Sequence, residues 1–339
     1  MHPVLVAQQT EAVRVLPAAV HDYYAGGAGE QVSTGEAAAA WAGLRLRPRV
    51  LRDVRTIDTS ITLLGTRLAT PVLAGPTAAH GLAHPEGEAE TARGVAAAGS
   101  LLVVSTRSSR PLEQVPAGPW WFQAYVVRDR ARTLDLVRRA ARAGASAIVL
   151  TGDVPYLGDR PGATRLQLDR LQLDPGLPLA SDDADTADPS AGLETIEQLA
   201  AASGLPVLVK GVLRGDDAQA CLEAGAAGIV VSNHGGRQLD RAVSTAEALA
   251  EVVEAVAGRA PVLVDGGLRS GLDVLCALAL GADAVLLGRP VLWALAAGGA
   301  DGVRSCLEVV TLDLAHAMGL AGSRSLTEVG PDLLSPRRG

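Results

Sequence analysis

Four stretches of this chain repeat one design. They are Ala98-Gly99-Ser-Leu-Leu-Val-Val-Ser105, Ala143-Gly144-Ala-Ser-Ala-Ile-Val-Leu-Thr151, Ala224-Gly225-Ala-Ala-Gly-Ile-Val-Val-Ser232 and Leu280-Gly281-Ala-Asp-Ala-Val-Leu-Leu-Gly288. In each, a helical segment ends at a glycine suited to a left-handed cap, and a β-branched run then ends in a small or polar residue. A strand that is apolar without alternation is buried on both faces, as in a parallel sheet covered by helices. Further strands fit Pro71–Pro76, Trp120–Tyr125, Pro206–Lys210 and Pro261–Asp265, giving eight strands separated by helix-length segments. That count predicts an α/β protein with the (β/α)8 TIM-barrel fold. A doubly wound open sheet is the alternative, weakened because no G-x-G-x-x-G turn follows the first strand.

The 339 residues suffice for one such domain, and 48% hydrophobic against 20% charged residues supply its core. Residues 1–65 read as an N-terminal helical cap and 66–339 as the barrel. The long loop after the fourth strand, 152–192, is expected to be a mobile insertion because its acidic stretch Ser181–Pro189 has little to bury. A net charge of −7 without a basic stripe argues against nucleic-acid binding. Three scattered cysteines suggest reduced thiols in a cytoplasmic protein, and neither a signal-peptide layout nor a bilayer-length apolar run is present.

In such a barrel the chemistry gathers at the C-terminal strand ends. Those positions hold Thr77 and Ala78, Ser105, Gln123 and Tyr125, Thr151 and Asp153, Lys210, Ser232 with His234 and Arg237, Asp265 with Gly266, Gly267 and Arg269, and Gly288 with Arg289. The run Ser232-Asn-His-Gly-Gly-Arg-Gln-Leu-Asp240 brings a proton-transfer group and a planar anion clamp to one spot. Glycine turns with arginines after the last two strands suit a phosphate. Lys210 could form a Schiff base with a carbonyl, or place a positive charge beside an electron-rich cofactor. His80 and His84 lie four apart, but no third ligand is evident, so no metal site is expected.

Several of these runs resemble the FMN-dependent α-hydroxy acid oxidase and dehydrogenase family across nearly the whole chain. They are Asp22-Tyr23-Tyr24-Ala-x-Gly27, Pro76-Thr77-Ala78-Ala-His-Gly-Leu-Ala-His84-Pro-Glu-Gly87, Trp121-Phe-Gln123-Ala-Tyr125, Lys210-Gly211, Ser232–Asp240, Asp265-Gly-Gly-x-Arg269 and Gly288-Arg-Pro290. The resemblance implies oxidation of a small L-2-hydroxy acid to the 2-oxo acid, with His234 as base and Asp153 stabilising its charged form. It implies Tyr23, Tyr125, Arg160 and Arg237 around the substrate. FMN would be held by Thr77, Ala78, Ser105, Gln123, Thr151, Lys210, Ser232 and Asp265, and its phosphate by Gly266, Gly267, Arg269, Gly288 and Arg289. A homotetramer is also implied, as is an electron acceptor that is O2, giving H2O2, or else a quinone or carrier protein. Resemblance of the Ala78–His84 run to lactate oxidase favours O2. A non-redox lyase using Lys210 on a phosphorylated substrate is the alternative from a different class.

The chain departs from the family's pattern in three places. Arg107 stands where many members place an aromatic near the substrate side chain, which suggests a larger site or a polar or acidic side chain. Gly152 replaces a branched residue. Pro161-Gly-Ala-Thr-Arg165 lacks the Asp-x-Arg-Asn pattern, so Arg165 is a substitute candidate for Arg160 as the second carboxylate clamp.

Overall fold

The computed structural model describes residues 2–115, 118–160 and 187–336. Eight parallel strands close into a barrel: β3 (Val72–Ala74), β4 (Leu102–Ser105), β5 (Trp120–Ala124), β6 (Ile148–Thr151), β7 (Val207–Val212), β8 (Gly228–Val231), β9 (Val262–Asp265) and β10 (Ala284–Leu287). β10 pairs with both β9 and β3, which closes the ring and rules out the open sheet. The glycines of the repeat, Gly99, Gly144, Gly225 and Gly281, have φ of 65°, 97°, 91° and 102°, a turn that any side chain would strain.

Helices α4 (Gly87–Ala97), α5 (Arg130–Arg142), α6 (Glu194–Ser203), α7 (Gly215–Glu223), α8 (Thr245–Val256) and α9 (Gly271–Ala279) join successive strands. Asp129 accepts from the Ala131 and Arg132 amides and so caps α5, and Ser270 does the same for α9 through the Asp273 amide. After β10 runs α10 (Arg289–Ala321), which breaks at Gly298 and Gly299. In front of the barrel lie α1 (Pro3–Val15), α2 (Ala18–Ala25) and α3 (Val32–Ala42).

A hairpin that the sequence pattern did not disclose, β1 (Ile61–Leu63) and β2 (Thr66–Leu68), follows α3. Its two-residue turn puts Leu64 at φ 44° and Gly65 at φ 79°, both positive as a type I′ turn requires.

Side chains alternate along each barrel strand. Val72, Ala74, Phe122, Ile148, Val209, Val231 and Val264 face the helices. Leu73, Leu101, Val103, Trp121, Val149, Leu208, Val230, Leu263 and Leu286 form the barrel interior, closed at the N-terminal end by Leu63 and Leu68 of the hairpin. Continuing the inward row by two residues toward each C-terminus reaches Ser105, Gln123, Thr151, Lys210, Ser232 and Asp265. The row that is apolar below is therefore polar at the top.

Most of the 152–192 segment, with Arg165, lies outside the described residues. Its far end returns to the barrel, where the Asp188 amide donates to the Val126 carbonyl and Arg130 Nε meets the Asp188 carboxylate at 2.8 Å. Among the described residues, no helix is long and apolar enough to cross a membrane.

Candidate active site

The polar ends of the inward row are joined to one another. Ser105 Oγ donates to Gln123 Oε1 at 3.0 Å, and Gln123 Nε2 donates to Thr151 Oγ1 at 2.8 Å. On the other side of the ring, Lys210 Nζ donates to Ser232 Oγ at 2.8 Å and meets Asp265 Oδ2 at 3.0 Å. Burial alone would lower the Lys210 pKa, but Asp265 and Asp153 carry it above the ordinary lysine value. An amine held protonated is a poor nucleophile, so the geometry favours Lys210 as a fixed positive charge over a Schiff-base former.

Beyond β8 the chain turns through left-handed residues: His234, Gly235 and Gly236 have φ of 57°, 62° and 72°. This swings the His234 ring toward Asp153, with Nδ1 3.1 Å from Oδ1 and 3.2 Å from Oδ2. The Asp153 carboxylate is positioned by Gly211, whose Cβ, if present, would come within 2.6 Å of it. Partial burial would raise the Asp153 pKa, but His234 and Lys210 hold it below the usual carboxylate value. An ionised carboxylate only accepts, so the Nδ1 proton of His234 points to Asp153 and Nε2 is the basic nitrogen. Burial lowers the His234 pKa below the ordinary histidine value, against the pull of Asp153, which favours the neutral ring.

Gln238 ties this run to the loop after β6. Its Nε2 donates to the Asp153 and Tyr156 carbonyls, and its Oε1 accepts from the Gly158 amide and from Arg160 Nη2 at 2.7 Å. Arg160 Nε also donates to the Arg237 carbonyl at 2.8 Å. Burial, with Arg237 close by, brings Arg160 down to about 10.

Arg237 and Arg289 are anchored on the same backbone. Arg237 Nη1 donates to the carbonyls of Tyr23 (2.9 Å) and Gly26 (2.5 Å), and its guanidinium lies over the Tyr23 ring. Arg289 donates to the carbonyls of Tyr24, Gly235 and Gly26 at 3.0–3.1 Å. Burial, with Arg237 and Arg269 nearby, takes Arg289 down to about 9. Buried guanidinium groups that repel one another in this way form a site for anions.

One pocket collects every expected site residue except Asp153, which stands behind His234, and Ser232, which lies under Lys210. Tyr24, Arg107, Leu157, Leu268 and Leu292 also line it. Tyr24 adjoins the expected Tyr23 and donates its hydroxyl to the Ala79 carbonyl at 2.6 Å. Gln238 belonged to a run marked by sequence, but its role depends on contacts about 80 residues away. The His80 ring nitrogens meet Thr77 Oγ1 at 2.6 Å and Thr91 Oγ1 at 2.8 Å, which fixes Thr77 at the pocket edge.

The pocket fits a flavin mononucleotide on its own chemistry. Gly266 and Gly267, at φ 86° and 87°, turn beside Arg269 and Arg289, a combination that suits a phosphate. Asp265 Oδ1 is buried without a hydrogen-bond partner, so an acceptor remains for a ligand hydroxyl.

The model of the FMN-dependent dehydrogenase family matches residues 12–336. The chain is 46% identical over 332 residues to 4-hydroxymandelate oxidase of Amycolatopsis orientalis, covering 92% of each protein. It is 44% identical to the peroxisomal (S)-2-hydroxy-acid oxidase of Oryza sativa subsp. japonica, covering 96% of this chain and 94% of that one. An L-lactate oxidase of a Nostoc species is 42% identical, covering 92% of each. The crystal structure of mandelate oxidase with (S)-2-phenylpropionate superposes with a TM-score of 0.90 at 44% identity, over 100% of this chain and 99% of that one.

Proposed function

The chain belongs to the FMN-dependent dehydrogenase family, and from that footing we propose that it oxidises a small (S)-2-hydroxy acid to the 2-oxo acid. The electrons pass to O2 and give H2O2, in keeping with relatives named as oxidases of 2-hydroxy acids. One observation carries the reading: an imidazole backed by a carboxylate at 3.1 Å, in a pocket lined by several arginines. That pairing suits a substrate that is both a proton donor and an anion.

The residues divide the work as follows. Arg160 and Arg237 bind the substrate carboxylate, with Tyr23 beside them. His234 Nε2 takes a proton from the substrate, and the Asp153 carboxylate stabilises the imidazolium that results. Burial raises the Tyr125 pKa, so its hydroxyl stays protonated and donates to the substrate oxygen. Lys210 holds a positive charge at the base of the pocket, and Arg269 and Arg289 hold the phosphate. What FMN supplies when bound is a two-electron sink that dioxygen can empty. Substrate oxidation releases two electrons and two protons, and reduction of O2 to H2O2 takes up both.

Purified protein should be yellow, lose its flavin absorbance when an (S)-2-hydroxy acid is added without air, and consume oxygen in air. Flavin that stays reduced in air would point to a quinone or carrier protein as acceptor. Protein that stays colourless with added FMN would refute the proposal.

A further inference from the structure

Arg107 leaves β4 on a loop whose position is closely fixed. Its amide donates to Ser105 Oγ at 3.1 Å, and its carbonyl accepts from the Ala79 amide at 2.9 Å. The buried Glu88 carboxylate pins the same loop, accepting from the Ser109 amide (3.0 Å), the Ser109 hydroxyl (2.6 Å) and the His80 amide (3.0 Å). The guanidinium carbon of Arg107 lies 5.6 Å from the centre of the Tyr125 ring, on the pocket wall. A guanidinium stacked on a ring keeps its N–H edges free for a carboxylate in its own plane.

The charges in the pocket are unequal. Arg107, Arg160, Lys210, Arg237, Arg269 and Arg289 line it, against Asp265 and, behind His234, Asp153. Six cations facing two carboxylates leave an excess of four. A flavin phosphate offsets up to about two of these, and one substrate carboxylate offsets a third. Lys210 is engaged by Asp265, Arg160 by Gln238, and Arg237 and Arg289 by backbone carbonyls. Among the described residues, the Arg107 guanidinium has neither an acceptor nor a carboxylate partner, apart from the Tyr125 ring it stacks on.

We infer that Arg107 is a specificity-determining residue that binds a second carboxylate at the end of the substrate side chain. The preferred substrate class is then short 2-hydroxydicarboxylic acids. The Arg107 guanidinium sits over the Tyr125 ring face at the pocket wall. The inference rests on the hydroxy-acid oxidase reading of the same pocket.

The test compares (S)-malate and (S)-2-hydroxyglutarate with (S)-2-hydroxybutyrate and (S)-mandelate on the FMN-loaded enzyme. The better dicarboxylate should have the highest kcat/KM, and that advantage should shrink as salt is raised. Arg107→Leu should cut its kcat/KM by roughly 10- to 100-fold, the worth of a charged hydrogen bond. The same variant should cost 2-hydroxybutyrate much less, so that the ratio of dicarboxylate to monocarboxylate kcat/KM falls, and Arg107→Lys should recover part of the loss. A second measurement needs no variant: 2-oxoglutarate should perturb the wild-type flavin spectrum at lower concentration than 2-oxobutyrate, with stronger salt dependence. Equal treatment of charged and neutral substrates by the wild type, or equal losses on both in Arg107→Leu, would overturn the inference. Turnover of neutral hydroxy acids alone would overturn it while leaving the oxidase reading intact. No flavin reduction by any of the four would sink both.

Discussion

The two ends of the barrel are built from the same strands and the same inward-facing row, yet they do opposite things. At the N-terminal end that row is Leu73, Leu101, Val103, Trp121, Leu208 and Leu263, sealed by Leu63 and Leu68 of the hairpin. Two residues further on it becomes Ser105, Gln123, Thr151, Lys210, Ser232 and Asp265, roofed by segments that carry Tyr23, His234 and Arg237. The lower half gains stability by excluding water. The upper half gathers an excess of positive charge, offset in part by Asp265, Asp153 and backbone carbonyls and left for ligands to balance. Stability and chemistry are thus separated along the barrel axis within single strands, and substitutions at the two ends should fail in different ways.

The largest expected effect lies at the top. His234→Asn should lower kcat/KM by roughly 10²- to 10⁴-fold, the range of general base catalysis. Asparagine tolerates the left-handed backbone at this position, so the thermal midpoint should hold. A large fall in that midpoint would show that the two ends are not independent. At the bottom, Leu73→Ala should cost about 2–5 kcal/mol in denaturant unfolding, because it opens a cavity in a closed core. Its kcat per bound flavin should stay unchanged, and a matching loss of kcat would break the separation. The smallest effect is on pH. Since only neutral His234 is a base, kcat/KM should rise as pH increases through the histidine pKa, on a limb below the ordinary value of about 6.5. Asp153 pulls that pKa upward, so Asp153→Asn should move the limb to still lower pH while reducing the plateau. A limb that moved upward would contradict the pairing.

The upper half was more legible in the sequence than the lower. Continuous apolar runs and the glycine that precedes every second strand located the barrel strands to within two or three residues of the observed ends. Polar residues at the ends of apolar runs then stood out against their background. The hairpin escaped because its strands are three residues each, too short for a periodic pattern, and its Leu64-Gly65 turn is not a strong turn pair. The sequence also suggested arginine side chains reaching toward ligands, but not where their other hydrogens would go. Arg237 and Arg289 bond to carbonyls more than 200 residues away, a proximity that exists only once the cap has docked. Gln238 showed the same blindness, as a plain amide within a conspicuous run.

The arrangement of those carbonyls links the two anion positions. Arg237, assigned to the substrate, and Arg289, assigned to the phosphate, both donate to the Gly26 carbonyl. A ligand that draws one guanidinium away from this carbonyl changes what the other is bonded to. Where binding at one position releases its guanidinium from Gly26, cofactor loading and substrate affinity are coupled, and such coupling is reciprocal. The segment from Tyr23 to Gly26 is then more than a cover: its carbonyls are a contact shared by two anion positions that the barrel itself keeps on different strands.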